Sequence, residues 1–216
     1  MLQTIADGLY ALLWDELGAN NCNSFLLCGS KTVLIDPGHD RYFDRVLRGL
    51  STLGLTASDI DLVLISHGHP DHLEAAPRLA PPSLLAMDRL EYEHLLETGL
   101  AAGAPNPDFF LTAGGLHLGD IYLDVLRTPG HTPGHLCFYW PQLRVLFSGD
   151  LLFKQGRGRT DLPGGSLEQL KSSLQRLKNL DIEFVLPGHG PIISGKEAVE
   201  DNFRIIGAWS GAPNRA

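Results

Sequence analysis

The sequence is poor in cysteine and contains no long apolar run. Its three cysteines, Cys22, Cys28 and Cys137, are too few and too scattered for a disulfide framework or a thiolate metal site. We expect all three to fill core space, as cysteine usually does. No apolar run approaches the roughly 20 residues that a membrane helix needs, so we expect no membrane span.

Positive charge is also scarce. The chain has 17 Lys and Arg residues against 25 Asp and Glu residues, a net charge of -8. Nucleic-acid binding needs a basic patch, so we expect no nucleic-acid partner, although a local basic pocket for an anionic substrate is compatible with this charge. The N-terminus carries Asp7, Asp15 and Glu16 and lacks the basic start of a signal peptide. We therefore expect a cytoplasmic protein.

Short apolar runs alternate with segments of helical periodicity. The runs predict strands over residues 9–14, 23–28, 32–35, 62–65, 121–126, 136–140, 145–147 and 184–186. Apolar spacing predicts helices over residues 43–53, from the Ser166 cap through Leu177, and over residues 196–206. This mixture favours a layered α/β fold.

The segment 101–115, which begins Ala-Ala-Gly-Ala-Pro-Asn-Pro, is expected to be a loop or lid. No linker divides the chain, so we predict one domain over residues 1–216.

The run His67-Gly68-His69-Pro70-Asp71-His72 carries the most specific chemistry in the sequence. Imidazole and carboxylate groups suit zinc and similar divalent metals. On a loop that leaves a strand, His67 and His69 can turn to one centre while Asp71 and His72 face another. The alternative is a solvated polar loop, but three histidines and an aspartate within six residues rarely arise in that way.

Four ligands on one loop cannot close two metal sites, so we expect further ligands at later strand ends. His131 lies in Thr-Pro-Gly-His-Thr-Pro-Gly-His, Asp150 ends Leu-Phe-Ser-Gly-Asp, and His189 lies in Pro-Gly-His-Gly. Each is weak alone, because a histidine in a Pro-Gly loop is more often a surface residue than a ligand. Together they complete two sites that share one carboxylate.

In their order, these motifs resemble those of the metallo-β-lactamase-fold hydrolases: His-x-His-x-Asp-His, then Thr-Pro-Gly-His-Thr, Ser-Gly-Asp and Pro-Gly-His. The resemblance covers residues 23–206 and implies a four-layer αββα sandwich with the site along one edge between the sheets. It implies two divalent ions per chain, zinc first, with iron or manganese as alternatives. The implied ligands are His67, His69, His131 and Asp150 for the first ion, and Asp71, His72, His189 and the shared Asp150 for the second.

The resemblance also implies roles for individual residues. Asp71 would be catalytic as well as a ligand, because it would orient a metal-bridging hydroxide that attacks an acyl carbonyl. Asp36 resembles the family's aspartate that orients a ligand histidine; a strand-end turn former is its alternative. His39 and His135 flank the motifs and are expected to support the ligands. The two histidines without a motif, His94 and His117, are expected to be surface or structural residues.

The stretch after Asp150 resembles the glyoxalase II (hydroxyacylglutathione hydrolase) branch, in which Gly-Asp-x-Leu-Phe leads into a glycine turn and a basic residue. Arg159 takes that basic position, which in the branch contacts the thiol-bearing substrate; a solvated loop arginine is the alternative. The resemblance implies a thioesterase with a small-molecule thioester substrate. Two departures stand against glutathione: no separate C-terminal helical domain follows the His189 loop, and Arg159-Thr160-Asp161 replaces the branch's basic–aromatic motif.

Two alternatives stay open from the sequence. The sequence Gly-Arg-Thr-Asp also resembles a motif of the persulfide dioxygenases, iron enzymes of the same fold that use only the first metal site. The further alternative is a lactonase or another ester hydrolase, although Phe153 stands where acyl-homoserine lactonases have a catalytic tyrosine. Every ligand of the second site is present, which favours a hydrolase.

Overall fold

The structure is a computed structural model that describes residues 1–16, 18–79, 81–99 and 105–208. Its strands are β1 (Leu2–Ala6), β2 (Leu9–Leu12), β3 (Ser24–Cys28), β4 (Thr32–Ile35), β5 (Leu62–Leu64), β6 (Leu84–Asp88), β7 (Phe109–Leu111), β8 (Gly114–Leu118), β9 (Ile121–Arg127), β10 (Leu136–Trp140), β11 (Val145–Gly149), β12 (Leu152–Phe153), β13 (Gly156–Arg157), β14 (Phe184–Pro187) and β15 (Ile193–Ser194). Its α-helices are α1 (Asp44–Thr52), α2 (Pro70–Leu73), α3 (Arg89–Thr98), α4 (Leu167–Leu177) and α5 (Lys196–Gly207). Among these described helices, none is both long and apolar enough to cross a membrane.

The strands form two large sheets and one small hairpin. The first sheet has the order β1-β2-β3-β4-β5-β6-β7, the second has the order β15-β14-β11-β10-β9-β8, and β12 pairs with β13. Strands β4 and β5 are parallel, as are β11 and β14. Strand β9 runs in the same direction as β11, because both are antiparallel to β10. Several strands therefore end at a common edge of their sheet.

The two sheets pack face to face, with helices on their outer faces. Phe25 of the first sheet meets Phe147 of the second inside the central core, with ring centroids 5.5 Å apart. On the outside of the first sheet, Leu50 of α1 packs in a second core. On the outside of the second sheet, Leu170 of α4 and Phe203 of α5 pack in a third. These layers make the αββα arrangement that the resemblance implied, so the fold prediction is confirmed.

Several elements lie outside the predicted pattern. Among them, strands β1 and β6 and helix α3 were not predicted. Residues 101–104 of the expected lid lie outside the described residues. Residues 105–108 and 112–113 lie outside helices and strands as predicted, but the loop prediction was wrong for residues 109–111, which form β7, and for residues 114–115, which begin β8. Strand β7 pairs with β6 and β8 pairs with β9, so hydrogen bonds to partner strands override the local glycine and proline content.

The cysteines are free thiols. Cys22 and Cys137 are fully buried, and burial raises the pKa of each thiol to about 12. Both thiols therefore stay protonated at neutral pH, as expected of core residues, and neither offers a thiolate to a metal.

Candidate metal centre

Polar side chains gather where strands of both sheets end. Asp36 follows β4, the His67–His72 run follows β5 and enters α2, His131 follows β9, Asp150 follows β11, and His189 follows β14. In each sheet these strands run in the same direction, so their carboxyl ends lie at one edge. The sandwich brings the two edges together and gathers the seven predicted ligands.

The first group is formed by three histidines. Nε2 of His67 lies 3.0 Å from Nδ1 of His69, and Nδ1 of His69 lies 2.9 Å from Nε2 of His131. His67 and His131 are buried, and His69 is partly exposed. Three ring nitrogens thus converge on one point, as they would around a single ion.

The second group joins the α2 residues to the last loop. Nε2 of His189 lies 3.2 Å from Oδ2 of Asp71 and 3.4 Å from Nε2 of His72. The ring of His72 is fully buried, whereas that of His189 is partly exposed. This group therefore opens to solvent on the His189 side.

Asp150 lies between the two groups. Its Oδ1 is 3.2 Å from Nε2 of His72, while its Oδ2 is 3.4 Å from Nε2 of His189 and 3.6 Å from Nε2 of His131. Asp150 Oδ1 is buried and has no hydrogen-bond partner among the described residues. A buried carboxylate oxygen without a donor is costly, and an ion between Asp150 and His72 would remove that cost.

His131 is fixed by a main-chain contact. Its Nδ1 lies 2.8 Å from the carbonyl oxygen of Arg159, and a carbonyl can only accept, so Nδ1 carries the proton. In the neutral ring, Nε2 then has a free lone pair that faces the first group. This tautomer follows from the hydrogen-bond network, and it is the one that a metal ligand requires.

Asp36 sets the tautomers of two further histidines. His72 Nδ1 donates to Asp36 Oδ2 at 2.9 Å, and Ser66 Oγ donates to the same oxygen at 2.6 Å. Having donated its only proton, Ser66 Oγ accepts from Nδ1 of His67 at 3.0 Å. In their neutral forms both rings therefore direct the lone pair of Nε2 into the centre, and Asp36 contacts a ligand histidine, His72, as the resemblance implied.

The centre carries negative charge and lone pairs at neutral pH. Burial, followed by the neighbouring His131, lowers the pKa of His69 to about 4, so this ring is neutral. Burial works against ionisation of Asp150, but His189 and His72 hold the pKa of that carboxyl well below its usual range. Burial also opposes the charge on His189, yet Asp150 and Asp71 raise its pKa to about 9. Carboxylates that retain a proton on the ring of His189 would equally retain a divalent cation, so the residues fit a metal centre.

The remaining histidines lie outside the cluster of seven. Nε2 of His135 accepts a hydrogen bond from the main-chain N–H of Asp150 at 3.1 Å, so this ring holds the main chain of the residue that carries the central carboxylate. His39 pairs with Glu74, and Nε2 of His94 donates to the carbonyl of Pro163 at 3.1 Å. The ring of His117 packs against Tyr122.

The side chain of Arg159 is exposed and engaged by a neighbour. Its Nε and Nη2 donate to the two carboxylate oxygens of Asp161 at 2.8 and 2.7 Å. The guanidinium is the group predicted to bind substrate, whereas the main-chain oxygen of Arg159 makes the contact with His131 of the centre. An anionic substrate that uses Arg159 must therefore compete with Asp161.

Asn20, Phe153 and Glu91 are among the residues near the centre whose roles were not predicted from the sequence. Nδ2 of Asn20 donates to Oδ2 of Asp71 at 2.8 Å. The ring of Phe153 lies 6.1 Å from that of His189, centroid to centroid, and Glu91 bonds to two of the ligand loops. Phe153 was noted only as a missing tyrosine, and no motif marks Asn20 or Glu91, so their roles become visible only through contacts between distant parts of the chain.

The family model for the metallo-beta-lactamase superfamily matches residues 17–189. The hydroxyacylglutathione hydrolase GloC of Haemophilus influenzae is 33% identical over 196 residues, which cover 83% of this chain and 84% of GloC.

Two solved structures extend the comparison. The metallo-beta-lactamase family protein TTHA1429 from Thermus thermophilus superposes with a TM-score of 0.81 at 23% identity over 95% of this chain and 80% of its own, which shows the fold alone. TTHA1623, solved in a di-iron-bound form, gives a TM-score of 0.69 at 34% identity over 86% of this chain and 96% of its own.

Proposed function

Because the chain belongs to the metallo-beta-lactamase superfamily, we propose that it hydrolyses small-molecule thioesters with the help of two divalent metal ions. The observation that carries the proposal is the position of Asp150, whose two carboxylate oxygens face His72 on one side and His131 and His189 on the other. A mononuclear enzyme needs only the first group. A complete second group around a shared carboxylate therefore favours hydrolysis over oxygen chemistry.

The residues present could hold both ions. The first would take His67, His69, His131 and Asp150, and the second Asp71, His72, His189 and Asp150. We propose zinc, with iron or manganese as alternatives, since all three accept nitrogen and carboxylate ligands. When bound, such a pair supplies a Lewis acid for the acyl carbonyl and a nucleophile at neutral pH.

The chain's own residues then position the reaction. Asp71 accepts a hydrogen bond from Nδ2 of Asn20, which fixes its carboxylate in a place where it can orient an attacking water. The Arg159 carbonyl keeps the ring of His131 from rotating. The phenyl ring of Phe153 beside His189 supplies an apolar surface for the acyl group and offers no hydroxyl, which disfavours a lactonase that relies on a tyrosine there.

Two observations support a thioester rather than another ester. GloC, a relative named as a hydroxyacylglutathione hydrolase, matches most of the chain. Arg159, whose main-chain oxygen contacts His131, also has an exposed guanidinium near the centre. A guanidinium is well suited to bind a carboxylate of a glutathione-like thiol.

The test compares three reactions with one protein preparation loaded with metal. Hydrolysis of S-lactoylglutathione, followed by release of thiol, is the expected activity. Oxygen uptake with glutathione persulfide and ring opening of a β-lactam or a lactone are expected to be absent. Oxygen uptake without hydrolysis of any thioester would overturn the proposal in favour of the dioxygenase.

Replacing Arg159 by alanine should raise KM more than it lowers kcat. The loss concerns an exposed ionic contact, worth about 1 kcal/mol or less, so we expect KM for S-lactoylglutathione to rise several-fold. The main-chain contact with His131 survives, because alanine keeps the carbonyl. A neutral thioester such as an N-acetylcysteamine ester is the matched control substrate, and an equal rise in its KM would contradict a role for the charge.

A further inference from the structure

Glu91 connects the two loops that carry the first group of histidines. It lies in the first turn of α3 and is 1% exposed. Its Oε1 accepts the main-chain N–H of Gly68 at 2.8 Å, and its Oε2 accepts that of Gly134 at 2.8 Å. Gly68 lies between the first two histidines of the cluster, and Gly134 lies three residues after His131. One carboxylate thus holds together loops that follow strands of different sheets.

The fit between α3 and these loops depends on glycine. A Cβ on Gly134 would lie 2.3 Å from the main-chain nitrogen of Glu91, and a Cβ on Gly68 would lie 2.7 Å from a methyl group of Leu95. Both distances are shorter than real contacts. The helix therefore packs directly on the two loops, which brings the carboxylate of Glu91 within reach of both N–H groups.

A second contact anchors the start of the same helix. Asp88, the N-cap residue of α3, accepts from Nε of Arg127 at 2.8 Å and pairs with its Nη2 at 2.7 Å. Arg127 is the last residue of β9, the strand that leads to His131. The first turn of α3 is thereby fixed to β9, the strand that precedes the His131 loop. A displacement of Glu91 would therefore also displace the His131 loop.

From this geometry we propose that Glu91 is a positioning residue that maintains the first metal site and leaves the second one unaffected. Gly68 lies between His67 and His69, and Gly134 follows His131, whereas Asp71 and His72 of the second group lie in α2. Within the described residues, its side chain has no hydrogen bond to the residues of the second group. The proposal rests on the two-metal centre of the proposed function and is independent of the thioester.

The two hydrogen bonds that the Glu91 carboxylate accepts make Glu91→Gln the informative substitution. Two N–H donors need two acceptor oxygens, which a carboxylate provides. Glutamine has nearly the same shape, but its amide offers one acceptor and one donor group. Glu91→Gln therefore fills the same space while it leaves one N–H opposed by another donor. Glu93→Gln, an exposed residue on the same helix, is the matched control.

The experiment measures zinc affinity at each site separately, in metal-free protein titrated against a chromophoric chelator. In a His189→Ala background, which disables the second site, Glu91→Gln should weaken zinc binding by about 10- to 100-fold, the usual effect of losing a group behind a ligand. In a His69→Ala background, which disables the first site, it should leave zinc affinity unchanged. The control Glu93→Gln should change neither.

Equal weakening in both backgrounds, or in neither, would overturn the role of Glu91. If Glu91→Gln does not fold, Glu91→Asp, which keeps both oxygens but is one methylene shorter, takes its place with the same expectation. A wild-type chain that binds fewer than two zinc ions would instead contradict the two-metal centre itself. The two failures are therefore distinguishable.

Discussion

Replacing Asp150 by alanine should abolish thioester hydrolysis and remove at least one metal ion from each chain. Asp150 is the carboxylate that faces both groups of ligands, so its loss takes one ligand from each proposed site. It also leaves the lone pairs of His72, His131 and His189 without the negative charge that favours a cation. We expect kcat/KM to fall by at least about 10³-fold, which corresponds to about 4 kcal/mol of transition-state stabilisation.

The matched control is Asp181→Ala. Asp181 is an exposed aspartate before β14 that pairs with Lys196, at the end of the second sheet away from the centre. It should keep wild-type activity and metal content. Activity is read as thiol release, and metal by elemental analysis of the same samples. An Asp150→Ala protein that retained two ions and measurable hydrolysis would contradict the shared-carboxylate arrangement.

Replacing Asp36 by alanine should lower both stability and metal affinity. Asp36 is 2% exposed and accepts from the N–H and Oγ of Ser66 and from Nδ1 of His72. Alanine leaves buried donors without an acceptor, each at about 1–3 kcal/mol. It also places a Cβ without a compensating polar group at a φ of 54°, a left-handed conformation that costs about 1–2 kcal/mol. We expect the free energy of unfolding of the metal-free protein to fall by about 3 kcal/mol or more, measured in urea.

Asparagine at the same position separates the two effects. It tolerates the left-handed backbone and keeps one acceptor oxygen, so Asp36→Asn should lose less stability than Asp36→Ala. It should still weaken zinc binding by about 10- to 100-fold, because His72 loses its carboxylate partner. Asp40→Asn, an exposed aspartate four residues away, is the control for both measurements. Unchanged zinc affinity in Asp36→Asn would show that the His72 contact does not tune the metal.

The residues of the candidate centre could be located from the sequence because their motifs are short and local. The proposed ligands lie in short segments that follow strands, and most of them are next to glycine or proline. Strands that run in the same direction bring such segments together at one edge of their sheet. The interior strands could be predicted for a similar reason, since a strand buried on both faces is apolar throughout, as β5 and β10 are.

Helix α3 shows what local patterns cannot reveal. Its buried positions are Glu91 and Leu95, whereas Leu90 and Leu96 are 45% and 54% exposed. The spacing of apolar residues along α3 therefore does not indicate which face of the helix is buried against the rest of the protein. The function of Glu91 depends on Gly68 and Gly134, which are 23 and 43 residues away along the chain, and no spacing rule anticipates such a contact. Strand β8, with its two glycines and a mostly exposed face, is defined by pairing with β9 rather than by its own composition.

The most direct test of the account is the number and identity of metal ions in the purified protein, determined by elemental analysis against amino-acid quantification. The arrangement of two ligand groups around Asp150 predicts close to two divalent ions per chain, with S-lactoylglutathione hydrolysis that disappears on chelation and returns with the second equivalent of metal. One tightly bound iron per chain, with full activity at that single equivalent, would contradict it.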